Sequence, residues 1–158
     1  FSSLSKRSNV PGMRSGFVAG DEKIIKKFLL YRTYHGCAMA PPVQTASVAA
    51  WNDEAHVLDN RNQYREKFAA CTPLIGEVLG TGMPDASFYL WAKTPIADTE
   101  FARGLLEHYN VVVLPGSFLA REIRGVNPGA NFIRIALVAS LAECLEATQR
   151  IRQFAQQL

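Results

Sequence analysis

The chain has 158 residues and a mass of 17.4 kDa, and its 48% hydrophobic and 20% charged residues fit an ordinary globular domain rather than a disordered segment. Seventeen basic against fourteen acidic residues leave a formal charge of +3 with no cationic run, which argues against nucleic acid or a membrane surface as partner. The longest apolar stretches, Val111–Leu114 and Ile135–Ala139, fall far short of the roughly 18 residues that span a bilayer, so a soluble protein is expected.

In chain order, residues 1–20 are rich in Ser, Gly and Arg and end in a strand-like Arg14–Ala19. Asp21 can cap a helix to about Thr33 that places Ile24, Ile25, Phe28 and Leu29 on one face. Gly36 stops that helix, and Pro41-Pro42 opens a short one over Val43–Trp51. Asn52 or Asp53 caps the next, where Val57, Tyr64, Phe68, Cys71, Ile75 and Val78 recur at helical spacing through Leu79, with Pro73 expected to kink it. Gly80, Gly82 and Pro84 make a turn, Ser87–Lys93 reads as a strand, and Asp98 is placed to cap a helix through Tyr109. Val111–Leu114 is a short strand, Pro115–Gly129 an irregular loop, Asn131–Val138 another strand, and Ser140–Gln157 an amphipathic helix. Alternating strands and helices give an α/β class.

Cys37, Cys71 and Cys144 form no CxxC pair, and His35, His56 and His108 show no HExxH spacing, so neither a disulfide framework nor a protein-held metal is suggested; a reducing cytoplasm fits. Phe1 is not an initiator Met and FSSLSKRSNV has no signal-peptide core, so the chain is expected to open inside a longer protein.

The chemistry concentrates in SLSKRSNVPGMRSG, residues 3–16. A lysine that forms an imine must shed its proton near neutral pH, which neighbouring cations and partial desolvation favour; Lys6 has Arg7 beside it and Arg14 eight residues on. The hydroxyls of Ser3 and Ser5 and the fork of Arg14 suit a phosphate, while Gly12 and Gly16 let backbone approach it. Short Ser/Lys/Gly strings are also ordinary polar loops. Ser3-Leu4-Ser5-Lys6 satisfies the SxxK string of penicillin-recognising acyltransferases, but there is no SDN element, and Lys93-Thr94 is followed by Pro95 rather than Gly, which rejects that reading.

SLSKRSNVPGMRSGF resembles the lysine signature of the fold-type I pyridoxal-phosphate aminotransferases of class I/II, with Ser3, Lys6, Gly12, Arg14 and Gly16 in register and Ser15 where a small apolar residue is usual. PDASFYLWA at 84–92, VVVLPGSF at 111–118 and GANFIRIAL at 129–137 resemble that family's small-domain strands, its mobile loop and the strand bearing the carboxylate-binding arginine. RSNVPGMRSGFVAGD at 7–21 and the segment 31–57 resemble the branch acting on succinylated diaminopimelate in bacterial lysine biosynthesis. The resemblance implies the end of a large cofactor domain at 1–55, a connecting helix at 56–80 and a small α/β domain at 81–158. It implies pyridoxal 5′-phosphate as cofactor and Lys6 as the imine-forming lysine that moves a proton between the substrate α-carbon and cofactor C4′. Ser3 and Arg14, with Ser5 as helper, would hold the phosphate, and Arg134 the substrate α-carboxylate.

Strand alternation puts Phe132, Arg134 and Ala136 on one face, where a guanidinium needs an anion, although an edge-strand arginine can also reach solvent. Trp51, Trp91 and Phe88 read as core or interface aromatics. Arg121 and Arg124, in the Gly- and Pro-containing loop, are candidates for a distal substrate carboxylate, or solvated loop charges. In dicarboxylate-specific relatives an arginine comes from the turn where this chain has the uncharged Cys37, Ala38, Met39 and Ala40, so glutamate as donor would have its side chain read elsewhere. The stacking aromatic and the aspartate on the cofactor's ring nitrogen lie upstream in that family, so this chain alone is expected to be inactive. The implied partners are amino and oxo acids, the N-terminal part of the same protein and a second copy in a homodimer. A non-catalytic α/β binding module, or another fold-type I activity such as a β-lyase or decarboxylase, stays open beside the aminotransferase reading.

Overall fold

A computed structural model describes residues 1–36 and 38–158, so Cys37 lies outside the described residues. The chain divides into two units, residues 1–62 and 63–158, with the boundary inside one long helix.

In the first unit, β1 (Ser2–Ser3) pairs antiparallel with β2 (Gly16–Phe17), Ser3 opposite Gly16. A side chain at Gly16 would lie 2.6 Å from the Ser2 carbonyl, so only glycine lets the pair close. Between the strands come a single helical turn, α1 (Leu4–Arg7), and a 3-10 turn at Pro11–Met13. The strand expected over Arg14–Ala19 contracts to β2, because Arg14 takes a left-handed conformation at φ 51° that cannot join a pleated ladder.

Helix α2 (Glu22–His35) starts where expected: the Asp21 carboxylate accepts the Lys23 and Ile24 N–H groups at 2.9 and 3.1 Å. Its apolar residues do not form a buried face here. No α2 residue is buried, and Ile24, Leu29, Leu30, Tyr31 and Tyr34 are all exposed. Helix α3 (Pro41–Asn52) opens on the two prolines, whose missing N–H groups cost nothing in a first turn. Helix α4 (Ala55–Leu79) follows, Asp53 Oδ1 accepting the Ala55 N–H at 2.9 Å, and it continues through Pro73.

In the second unit, Gly80 at φ 63° ends α4. Strands β3 (Tyr89–Lys93), β4 (Leu114–Pro115) and β5 (Phe132–Ala136) make an antiparallel sheet in the order β3-β5-β4, with Arg134 opposite both Trp91 and Leu114. Helices α5 (Asp98–Tyr109) and α6 (Leu141–Ala155) join the C-terminal part of α4 around a core that includes Ile75, Leu90, Phe101, Leu105, Ile133 and Ile151. Gly104 lets the Phe154 ring come close, since a side chain there would lie 2.6 Å from it. The rings of Phe101 and Phe154 meet edge to face at 5.0 Å. A reciprocal capping box, Ser140 with Glu143, starts α6.

Two expectations change in this unit. Val111–Leu114 pairs only from Leu114 onward; Val111 and Val113 are buried in the core without joining the ladder. Asp98 does not cap α5: the N-cap is Ala97, without a side-chain bond, and the Asp98 carboxylate turns to the loop beyond β4.

Candidate functional site

The turn carrying Lys6 is held from both of its ends. Leu4, fully buried, donates its N–H to the Ser15 carbonyl at 3.0 Å and accepts at its own carbonyl from Ser8 and Val10. Arg7 donates to the carbonyls of Ala50, Trp51 and Asp53 at 2.6, 3.3 and 3.4 Å, pairs with the Glu54 carboxylate, and lies 4.9 Å over the Trp51 ring. It thus satisfies the orphan carbonyls that end α3 while neutralising their partial negative charge. From the sequence Arg7 is only a cation beside Lys6; the carbonyls and the carboxylate it engages lie more than forty residues away, and no local pattern announces them.

Ser8 adds a second tether. His56 Nε2 lies 2.9 Å from Ser8 Oγ, and its Nδ1 lies 2.9 Å from Asp53 Oδ2. The hydrogen bond with His56 is the main cause holding the Asp53 carboxyl below its ordinary range, with the Ala55 N–H contributing. A third polar contact, between the buried Ser15 and Ser47 hydroxyls at 2.8 Å, ties the residue before β2 to α3.

Ser3, Ser5 and Arg14 line one open cavity of about 500 Å³, together with Gly16 and the rings of Phe1 and Phe28. Lys6 lines a second, of about 600 Å³, with Ser2, Ser3, Arg7 and Arg61, so Ser3 borders both. The polar side chains around the two are hydroxyls, guanidinium groups and an ammonium, and no carboxylate lines either among the described residues. Such a donor set suits an anion with several acceptor oxygens. Arg14 donates to the Pro11 carbonyl at 2.8 Å and remains exposed.

In residues 63–158, Arg134 stands at the middle of β5, half-buried, on the same side as Phe132. Its guanidinium carbon lies 5.4 Å from the centre of the Tyr89 ring, while its Nε is buried with no hydrogen-bond partner among the described residues. A buried guanidinium nitrogen without an acceptor is costly, and an incoming carboxylate relieves that cost. Trp91 and Phe132 stack beside it, ring centres 5.6 Å apart; Trp91 is 38% exposed and belongs to this face rather than to the core. Trp51 is engaged by Phe17 and Arg7, and Phe88 meets Tyr89 edge to face. Arg121 and Arg124 are exposed at the tip of the loop between β4 and β5, where Arg124 and Gly125 both have positive φ and Ile123 bridges Val126. Among the described residues no cluster of His, Cys, Asp and Glu could hold a metal, and no helix is long and apolar enough to cross a membrane.

Residues 1–151 match the family described as Aminotransferase class I and II. An aminotransferase crystal structure from Neisseria meningitidis is 56% identical with a TM-score of 0.88, covering 96% of this chain and 39% of that one. A probable N-succinyldiaminopimelate aminotransferase from Thermus thermophilus is 33% identical with a TM-score of 0.81, covering 96% and 40%. A probable aminotransferase of Mycobacterium tuberculosis is 35% identical over 150 residues, 94% of this chain and 34% of that protein. The chain therefore spans well under half the length of these relatives.

Proposed function

The chain belongs to the class I and II aminotransferases, a pyridoxal-phosphate-dependent family of fold-type I, and from that premise we propose that it supplies the lysine, the phosphate cradle and the carboxylate anchor of such an enzyme. In this reading residues 1–55 complete the large domain, 56–80 form the connecting helix and 81–158 the small domain of a cytoplasmic homodimer. The enzyme transfers an amino group between glutamate and an N-succinyl-2-amino-6-oxopimelate-type acid on the way to diaminopimelate and lysine. The printed name of the Thermus thermophilus relative supports that substrate class. The observation that carries the proposal is the acid-free grouping of Ser3, Ser5 and Arg14 around one cavity, with Lys6 on the cavity next to it.

The donors fit the cofactor's phosphate. Two hydroxyls and a guanidinium can engage its three peripheral oxygens, and Gly16 keeps β1 and β2 close enough to hold Ser3 at the rim. When bound, pyridoxal phosphate supplies an electron sink that acidifies the substrate α-carbon. Lys6 Nζ would take the proton from that carbon and deliver it to cofactor C4′, which requires a turn that does not swing away; Leu4 and Arg7 hold its two ends. Arg134 offers a planar fork to the α-carboxylate, and the Tyr89 ring under it restricts the plane of that fork. Arg121 and Arg124 serve the distal carboxylate.

The test is amino transfer by the full-length protein from glutamate to the succinylated acceptor, read as 2-oxoglutarate release. The expected result is turnover by the wild type and loss of both half-reactions in Lys6→Ala. Neutralising Arg121 and Arg124 together is expected to lower kcat/KM for the succinylated acid by on the order of ten-fold while sparing the glutamate half-reaction. Turnover by Lys6→Ala, or none by the cofactor-loaded wild type, overturns the proposal; equal losses on both half-reactions in the double variant remove the distal role of the two arginines.

A further inference from the structure

Asp98 is buried, 4% exposed, and its carboxylate is spent on two backbone groups far apart in sequence. Oδ2 accepts the N–H of Ser117 at 2.8 Å, and Oδ1 accepts the N–H of Asn131 at 3.2 Å. Ser117 and Asn131 are the two stems of the loop that leaves β4 and enters β5. We propose that Asp98 is a positioning residue: it clasps both stems of this loop and so fixes the start of the strand that presents Arg134. The role of Arg134 in this inference rests on the aminotransferase reading; the clasp itself does not.

The neck of the loop is built for a clasp. Gly116 and Gly129 touch backbone to backbone, since a side chain at Gly129 would lie 2.1 Å from the Gly116 carbonyl oxygen and one at Gly116 would lie 2.4 Å from that of Gly129. Asn127 donates from Nδ2 to the Ser117 carbonyl at 3.1 Å and accepts the Gly129 N–H at 2.9 Å, a second bridge between the stems. Asn131 also donates nothing to the sheet's edge but accepts there: its carbonyl takes the Thr94 N–H at 2.8 Å, immediately beyond the Lys93–Phe132 pair that begins the β3–β5 ladder. Asp98 therefore acts on the residue that sets the register of β5, three positions before Arg134. Beyond the neck the polypeptide is bare: Phe118, Ile123 and Val126 are 71, 64 and 65% exposed, and the tip is a tight turn through Arg124 and Gly125. A loop with an exposed tip and a fixed base keeps its attachment to the strand however the tip moves.

The carboxylate suits this task because each of its oxygens can face an N–H. Burial pushes the Asp98 carboxyl up, but the hydrogen bonds from Ser117 and Asn131 outweigh it and leave the group below its ordinary range. An asparagine offers one acceptor and turns an NH2 towards the other stem, so it can hold only one of the two.

The test is trypsin cleavage at Arg124–Gly125 in the folded chain, read against cleavage within α2 as an internal reference. Asp98→Asn is expected to accelerate the tip cut at least ten-fold relative to the α2 cut, and Asp98→Ala further. Hydrogen exchange on the wild type needs no variant: the Ser117 and Asn131 amides are expected to exchange at least ten-fold more slowly than those of Glu122 and Arg124. Equal exchange at stem and tip, or an unchanged cleavage ratio in a folded Asp98→Asn, overturns the clasp. In the full-length enzyme Asp98→Asn is expected to raise KM for amino donors about ten-fold with cofactor retention unchanged and kcat within about two-fold. Faster cleavage with unaltered KM overturns the positioning role. A wild type without transamination overturns the functional reading and leaves the clasp to be decided by the proteolysis and exchange results.

Discussion

Residues 63–158 and residues 1–62 use similar amino acids to opposite ends. The second unit folds its apolar residues inward: Phe101, Leu105, Ile133 and Ile151 are fully buried, and three helices and a sheet share one core. The first unit leaves a row of large apolar side chains on the surface of α2 and is fastened by polar contacts, through Arg7, the Ser15–Ser47 pair and the Ser8–His56–Asp53 chain. The lesson is that the chemistry-bearing turn is positioned by hydrogen bonds, whose cost when broken is local. The sheet that bears Arg134 is positioned by packing, whose loss is felt throughout its unit.

The sharpest way to break this contrast is in the core. Phe101→Ala is expected to cost about 3–5 kcal/mol, because it removes a fully buried ring and the edge-to-face contact with Phe154. The chain has two tryptophans, one in each unit, so the denaturation midpoint reported by Trp91 should fall further than that reported by Trp51. Equal shifts would mean that the two units do not differ in the way described.

Arg7→Ala is the counterpart in the first unit. Removing a guanidinium that serves three carbonyls and a carboxylate is expected to cost about 2 kcal/mol. The loss should appear as faster hydrogen exchange at the Leu4 and Ser8 amides, with the amides of α6 unaffected. Unchanged exchange at Leu4 and Ser8 would assign the anchoring of the lysine turn to other contacts.

The same contrast explains what the sequence makes legible. Helices α3, α4, α5 and α6 follow from prolines at a first turn and apolar spacing, which act within a few residues. The lysine signature reads directly because Ser3, Lys6 and Arg14 are neighbours in sequence, and so does the face of Arg134, since strand alternation is a local rule. Burial of α2 does not follow from its apolar spacing, which shows only which residues could share a face, not what meets them. Asp98 reads as an N-cap because an aspartate at a helix start commonly is one, yet its acceptors are claimed by N–H groups 19 and 33 residues away. Arg7 and the bond of His56 to Ser8 escape for the same reason: the groups they join lie more than forty residues apart.

A smaller effect separates binding from packing at Arg134. Arg134→Lys keeps a charge on the sheet but not the planar fork, so KM for amino donors is expected to rise about ten-fold, near 1.4 kcal/mol, with the thermal transition nearly unmoved. A wild-type KM for glutamate in that variant would contradict the carboxylate role.

The smallest expected effect is a pH dependence confined to the first unit. The folded-state carboxyl of Asp53 is lowered by His56 and the Ala55 N–H, so its contribution is fully present above the ordinary aspartate value and disappears as pH falls through the lowered folded one. The Ala55 amide signal should therefore show a step in the acid range that is lost in Asp53→Asn; an acid-range step that persists in that variant would contradict the assignment. A shift centred near neutrality would point to a different titrating group.

The proposed function turns on Lys6 as the residue that would form the imine with pyridoxal phosphate. Borohydride reduction of the full-length protein loaded with pyridoxal phosphate, followed by mapping of the labelled peptide, tests it most directly. Stable label is expected on Lys6 and none on the Lys6→Ala protein; label on another lysine, or label that persists in Lys6→Ala, rules out that role for Lys6.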